Sequence, residues 1–285
     1  MKKTALLASA GVLALAACSA TRLAYDNADT AARFMASIYL DLDSEQSEDL
    51  RPLIVRFHQW HRMNELPVYA VLLHSASRRA AKGITADDVS WGLDNLRARY
   101  RSLAAKAVED AAPVLATLAP AQIAALEHKL AENNEKYAKE FLPADEKKRR
   151  RAQGKRMLER LRDFSGELTP EQEARIGRFV AANDRHVALR FEDRQRLQRE
   201  FVALLRQHRE PQELGRQLAE MFNKPEARRS EEFLREDKRW DEDLGQLIVD
   251  LDRSLSPVQR ARVVRRLSDY AEDFTVLAGR KAEAA

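Results

Sequence analysis

Intrachain disulfides are excluded from the outset, because the 285-residue chain holds one cysteine, Cys18. Nine glycines and nine prolines are too few turn residues for a sandwich of many short strands, and they exclude a collagen-like chain. Net charge is also small. The 49 basic and 45 acidic residues leave +4, or +2 once Lys2 and Lys3 leave with the leader described below, so no strong basic field exists and no nucleic-acid partner is expected. After the leader no segment reaches eighteen consecutive apolar residues, so none is expected to span a membrane. Also absent are a Gly-rich phosphate loop, a nucleophile elbow and a dense His/Asp cluster, so no enzyme class and no cofactor is singled out. What remains is a chain 45% apolar and 33% charged, able to bury a sizeable core under a charged surface.

Residues 1–17 read as a secretory signal peptide, with Lys2 and Lys3 before an apolar run from Ala5 to Ala17 that is too short to span a bilayer permanently. The run ends Leu15-Ala16-Ala17-Cys18-Ser19, which resembles a bacterial lipobox. That resemblance implies cleavage before Cys18, diacylglyceryl transfer to its thiol and acylation of the new amino group, making Cys18 the expected lipidation site. Several acyl chains, at about 0.8 kcal/mol per buried methylene, hold a protein where one chain would not. Residues 18–22 form a tether so short, at about 3.3 to 3.6 Å per residue, that the body must lie close to the membrane. Ser19 in place of aspartate implies, by resemblance to known lipoprotein sorting, the outer membrane, with the body on its periplasmic face.

Apolar residues then recur at steps of three and four: Ile123, Leu126, Leu130, Tyr137, Phe141; Ile176, Phe179, Val180, Val187, Phe191; Trp240, Leu244, Leu247, Leu251; Val263, Leu267, Tyr270, Phe274, Leu277. These are helix faces, and the last two are seams that pack against a neighbouring helix. With no sustained two-residue alternation, the fold class reads as all-α. Helix starts recur too. Thr169-Pro170-Glu171-Gln172 and Ser256-Pro257-Val258-Gln259 place a hydroxyl at N-cap, proline at N1 and glutamine at N3. Asp43 to Gln46 lacks the proline, Ala119 to Gln122 lacks the cap, Thr85 to Asp88 is a weaker variant, and another start falls at Pro211. Their spacing describes an irregular array of long helical hairpins rather than a strict solenoid. Pro67, Pro113, Pro143 and Pro225 mark ends or kinks, and Pro52 a kink or a short helix. The organisation expected is an N-terminal half (23–145), a charged hinge (146–156) and a C-terminal half (157–285).

The run Ser19 to Asp29 with Tyr39-Leu40-Asp41-Leu42, the string His61 to Tyr69, and the segment Leu126 to Glu135 resemble an uncharacterised Gram-negative lipoprotein family, the domain of unknown function DUF6279. The resemblance implies architecture and location, and no activity. Leu168-Thr169-x-x-Gln172 also resembles the signature of the Spy and CpxP type of periplasmic chaperone, over five residues that a capping box explains equally.

His58, His61 and Glu65 have the spacing of three zinc ligands on one helix, yet Phe57 and Trp60 interleave them, so they read as a helix with an aromatic face rather than as a metal site. Lys147 to Arg151 with Lys155 and Arg156 read as a solvated helix face, with anionic lipid the alternative. Trp240, amid Asp237 to Asp243, and likewise Trp91 and Tyr100, read as helix packing. The function expected is therefore non-enzymatic: an outer-membrane lipoprotein, bound to the membrane through Cys18, whose helical body contacts a protein partner or client. The alternatives are an envelope enzyme with a cryptic site between the halves, or a passive spacer.

Overall fold

The computed structural model describes residues 20–207 and 210–279, which are helical nearly throughout and contain no strand. The leader and Cys18 lie outside the described residues. A helical stretch over residues 20–26 leads into eleven α-helices among the described residues. They are α1 (Ala28–Leu40), α2 (Ser44–Trp60), α3 (Leu66–Lys82), α4 (Ala86–Ala116), α5 (Pro120–Phe141), α6 (Glu146–Ser165), α7 (Pro170–Ala182), α8 (Asp184–Gln207), α9 (Pro211–Asn223), α10 (Glu231–Ser254) and α11 (Pro257–Gly279). A π-turn (His61–Glu65) joins α2 to α3, and a 3-10 turn (Pro225–Arg228) precedes α10. None of the described helices is long and apolar enough to cross a membrane.

The helix starts are where the capping residues place them. Asp43 accepts from the Gln46 amide at 2.9 Å, Thr85 from Asp88 at 3.2 Å, Thr169 from Gln172 at 3.3 Å and Ser256 from Gln259 at 3.2 Å. Asp145 and Ser230 cap two more helices, α6 and α10, at 2.7 and 3.1 Å. The stretch 146–156, expected as a hinge, is thus the first half of α6. Pro52 and Pro113 lie inside α2 and α4, and Pro143 falls between α5 and α6. Gly83 and Gly166, with φ of 100° and 80°, end α3 and α6 in a backbone region closed to most side chains.

The N3 glutamines do more than cap their own helices. Gln46 and Gln122 exchange side-chain hydrogen bonds at 3.2 and 2.6 Å; Gln46 also donates to the Thr117 carbonyl and Gln122 to that of Asp41. Gln172 and Gln259 do the same at 3.3 and 3.0 Å, donating in addition to the carbonyls of Ser254 and Glu167. In all four cases the carbonyl lies two residues before the partner helix's N-cap. The same reciprocal corner is therefore built twice, joining α2 to α5 and α7 to α11.

Two clusters fill the interior. Val108, Leu115 and Leu118 of the α4 end, Ile123 and Leu126 of α5, Val202 and Leu205 of α8, and Leu214, Leu218 and Met221 of α9 form the larger. Ile176 and Val180 of α7 with Leu247 and Leu251 of α10 form the smaller, backed by Met157 and Leu161 of α6. Helices from both sides of residue 146 pack together: α9 on α4, and α11 along α3. The last pair runs antiparallel and close, because Ala70, Ser77 and Ala80 face α11 with small side chains and the Ser77 hydroxyl bonds Ser268 at 2.9 Å. Asp252 locks one end of this pair. It accepts from Arg260 at 2.9 and 3.0 Å and from the Ile84 amide at 3.0 Å, while Arg260 also donates to the Ala80 carbonyl at 2.6 Å.

Candidate functional site

The segment from Ser44 to Lys82 is one rod interrupted only by the π-turn, and Pro67 supplies the reason. Its nitrogen cannot donate to the preceding turn and its ring crowds the carbonyl four residues back, at Met63, so the helix widens there instead of breaking. Asn64 meets the disturbed ladder by donating its side-chain amide to the Trp60 carbonyl at 2.9 Å. The wide turn carries His61 and Glu65 into contact with the 20–26 stretch and with α4.

His61 Nδ1 lies 2.8 Å from the Tyr25 hydroxyl. The Tyr25 ring stands 4.7 Å from the His58 ring, the Arg62 guanidinium lies 5.5 Å over that tyrosine, and Arg62 pairs with Asp26 at 3.4 Å. On the other side His61 meets Tyr69 edge-on at 5.6 Å, and Tyr69 in turn contacts Phe274 of α11 at 5.8 Å. Glu65 is buried; it accepts from the Ser102 hydroxyl at 2.7 Å and faces Arg99 at 3.5 Å. A further tie completes the seat, as Arg22 donates to buried Asp273 at 2.6 Å. Three elements, α2, the π-turn and α11, thus hold the 20–26 stretch.

Burial sets the protonation states. It pushes the Tyr25 hydroxyl up to about 12, against the opposing charge of Arg62. It pushes Tyr69 up to about 12 as well, helped by the Glu65 carboxylate. It holds His58 and His61 below the usual histidine value, with Arg62 adding to the effect at His58 and Glu65 opposing it at His61. Neutral imidazoles and un-ionised phenols are the forms this seat favours, so the Tyr25 hydroxyl can donate to Nδ1 of neutral His61.

His58, His61 and Glu65 therefore share a neighbourhood through separate partners. Among the described residues no group of three or more His, Cys, Asp or Glu side chains is arranged to hold a metal ion. Of the basic run, Arg149 is bound to Asp184 at 2.8 and 2.5 Å, Arg150 pairs with Glu146, Lys155 faces Glu159 at 3.8 Å, and Arg156 lies 3.7 Å over Phe141. Lys147, Lys148 and Arg151 are exposed.

Trp240 is half-buried and stacks at 5.1 Å on His186, which is fully buried with Nε2 3.0 Å from Asp237. That hydrogen bond holds the Asp237 carboxyl below its ordinary value in spite of desolvation. Nothing in the local sequence marks His186, whose partners lie on α10. Trp91 sits beneath the Arg79 guanidinium at 4.4 Å. Tyr100 departs from expectation: it is 52% exposed, because Arg99 and Ser102 take the face of α4 that meets Glu65. Leu96, one turn earlier on the same side, is 67% exposed.

A family model described as a family of unknown function, DUF6279, matches residues 38–235. No curated protein and no solved structure matches the chain.

Proposed function

Since the chain belongs to that family, whose function is unknown, we propose its role from its own residues: an outer-membrane lipoprotein, held at Cys18 on the periplasmic face, that binds protein partners with its helical body. The observation that carries the binding role is the outward face of α4. Leu96 and Tyr100 stand one turn apart and exposed, beside a row formed by the ion pairs Arg97 with Asp241 and Arg101 with Glu226. Exposed apolar residues that include a tyrosine, flanked by arginines, have the composition of a protein contact surface. The leader and the lipobox support the location. The π-turn cluster has a positioning role in this reading: it fixes the body to the residues that emerge from the anchor, so the α4 face is held at a set distance from the membrane.

A photo-crosslinking residue placed at Leu96 or Tyr100 in cells should give a discrete protein adduct that is absent when the same residue replaces exposed Glu109. One adduct species marks an adaptor, and a ladder of unfolded clients marks a chaperone. No adduct at either position removes the binding role and leaves a spacer. Cys18→Ala should shift the protein from the membrane fraction to the soluble one.

A further inference from the structure

Helix α1 inverts the usual arrangement of a surface helix. Its inward side packs on α2 and α5, where Tyr39 accepts from Asn133 at 2.7 Å. Its outward side carries Ala31, Phe34, Met35 and Ile38 at steps of three and four, with Phe34 65%, Met35 48% and Ile38 40% exposed. Upstream, in the 20–26 stretch before the turn at Asn27, Leu23 is 66% exposed and Ala24 is exposed, eight and seven residues before Ala31. In a chain 33% charged, α1 has only Asp29 and Arg33, and these pair with each other at 3.5 Å.

Most polar groups beside the stripe bond within the segment itself, Arg33 Nε being the exception. Asn27 donates to the Leu23 carbonyl at 2.8 Å, Ser37 to the Phe34 carbonyl at 2.8 Å, and Arg33 to the Thr30 hydroxyl at 3.1 Å. Internal satisfaction of this kind is what a helix surface needs where water is scarce. Two extended residue steps from Cys18 reach at most about 7 Å, and the helix from residue 20 adds about 1.5 Å per residue, so Leu23 lies within about 12 Å of Cys18. At about 20 Å, α1 is too short to cross a hydrocarbon core of about 30 Å.

We propose that α1 lies in the plane of the membrane interface with Leu23, Phe34, Met35 and Ile38 in contact with a phospholipid bilayer. The proposal rests on the anchored reading above, since the acylated Cys18 is what holds this face against lipid. It makes the contact with the membrane an oriented one, with the apolar face sunk about 5 to 10 Å into the boundary of head groups and acyl chains.

Acylation consumes the Cys18 thiol, so a single introduced cysteine can be spin-labelled. The mature protein carrying Phe34→Cys, Ile38→Cys or Val258→Cys is reconstituted in vesicles of phosphatidylethanolamine and phosphatidylglycerol. Label accessibility is compared for oxygen, which enters lipid, and a water-soluble nickel chelate, which does not. Val258 is exposed and lies at the end of α11 away from the Asp273 contact with Arg22. Labels at 34 and 38 should be shielded from nickel and reached by oxygen, the label at 258 should remain aqueous, and Phe34→Glu with Ile38→Glu should abolish the shielding of a label at Met35. Aqueous behaviour at 34 and 38, or shielding accompanied by dipolar broadening between labels on two copies, overturns the proposal.

Mass spectrometry of Cys18 separates this from the parent reading. Should Cys18 prove unmodified, the anchored reading falls. The same labels in a Cys18→Ser chain mixed with the vesicles then decide the matter: uptake with shielding at 34 and 38 retains the face as a lipid contact, and no uptake removes it.

Discussion

His58 and His61 are kept neutral by burial, so the unfolded chain, where histidine titrates near 6.5, binds protons before the fold does. Between that value and the lower folded one the unfolded state holds more protons, and stability therefore rises with pH across the window. The urea midpoint should fall as pH is lowered from about 7.5 to about 5, and the slope should shrink in His61→Gln; a midpoint that stays level in the wild type contradicts the seat as described. The second buried histidine makes a different demand. His186→Ala leaves a cavity against Trp240 and a half-buried Asp237 without its partner, a loss of about 3 kcal/mol by urea titration. The spacing of His58, His61 and Glu65 was legible in the sequence. Their partners were not, since Tyr25 lies 36 residues from His61 and Ser102 lies 37 from Glu65, and local periodicity says nothing about contacts at such separations.

Helix starts were the most legible feature, because each cap signal is complete within four residues. What those four residues could not reveal is that the N3 glutamine of one helix meets that of another, 76 residues away in one corner and 87 in the other. Gln172 is fully buried and Gln259 nearly so. Removing either alone takes one donor and one acceptor contact from the other's buried amide, which keeps its carbonyl partner, and should cost about 1 to 3 kcal/mol, while the pair Gln172→Ala with Gln259→Ala should cost less than the sum of the two, which a double-mutant cycle on unfolding free energies would register. Strict additivity would mean the two side chains act independently. The first corner has an evident weakness, since Ala119 has the extended backbone of an N-cap but no oxygen to accept with. Ala119→Thr should raise stability by about 1 kcal/mol, a gain readable as a higher melting temperature. Two things stayed hidden in the pattern. Pro67 announced a disturbance without showing that the helix would widen and continue, and the outward apolar stripe of α1 was not among the faces read from the periodicity.

Asp252 gathers the α3–α4 loop and the α10–α11 junction into one corner, so Asp252→Ala should cost about 3 to 5 kcal/mol by stranding Arg260 against buried carbonyls. The packing of α11 on α3 and α9 on α4 crosses the middle of the sequence, and the variant should therefore still unfold in one transition; two resolved transitions would mean the two ends of the chain are stabilised separately. This interleaving could not be read from composition, which placed a charged boundary at 146–156 but could not show which distant helices would pair. The bond from Arg22 to Asp273 has a mechanical meaning. A pull on the amino-terminal end passes straight into the last helix and, through it, into its close antiparallel contact with α3. The share of the load that this ion pair carries is spread over the long α11–α3 packing, in addition to what the backbone carries into the small first helix.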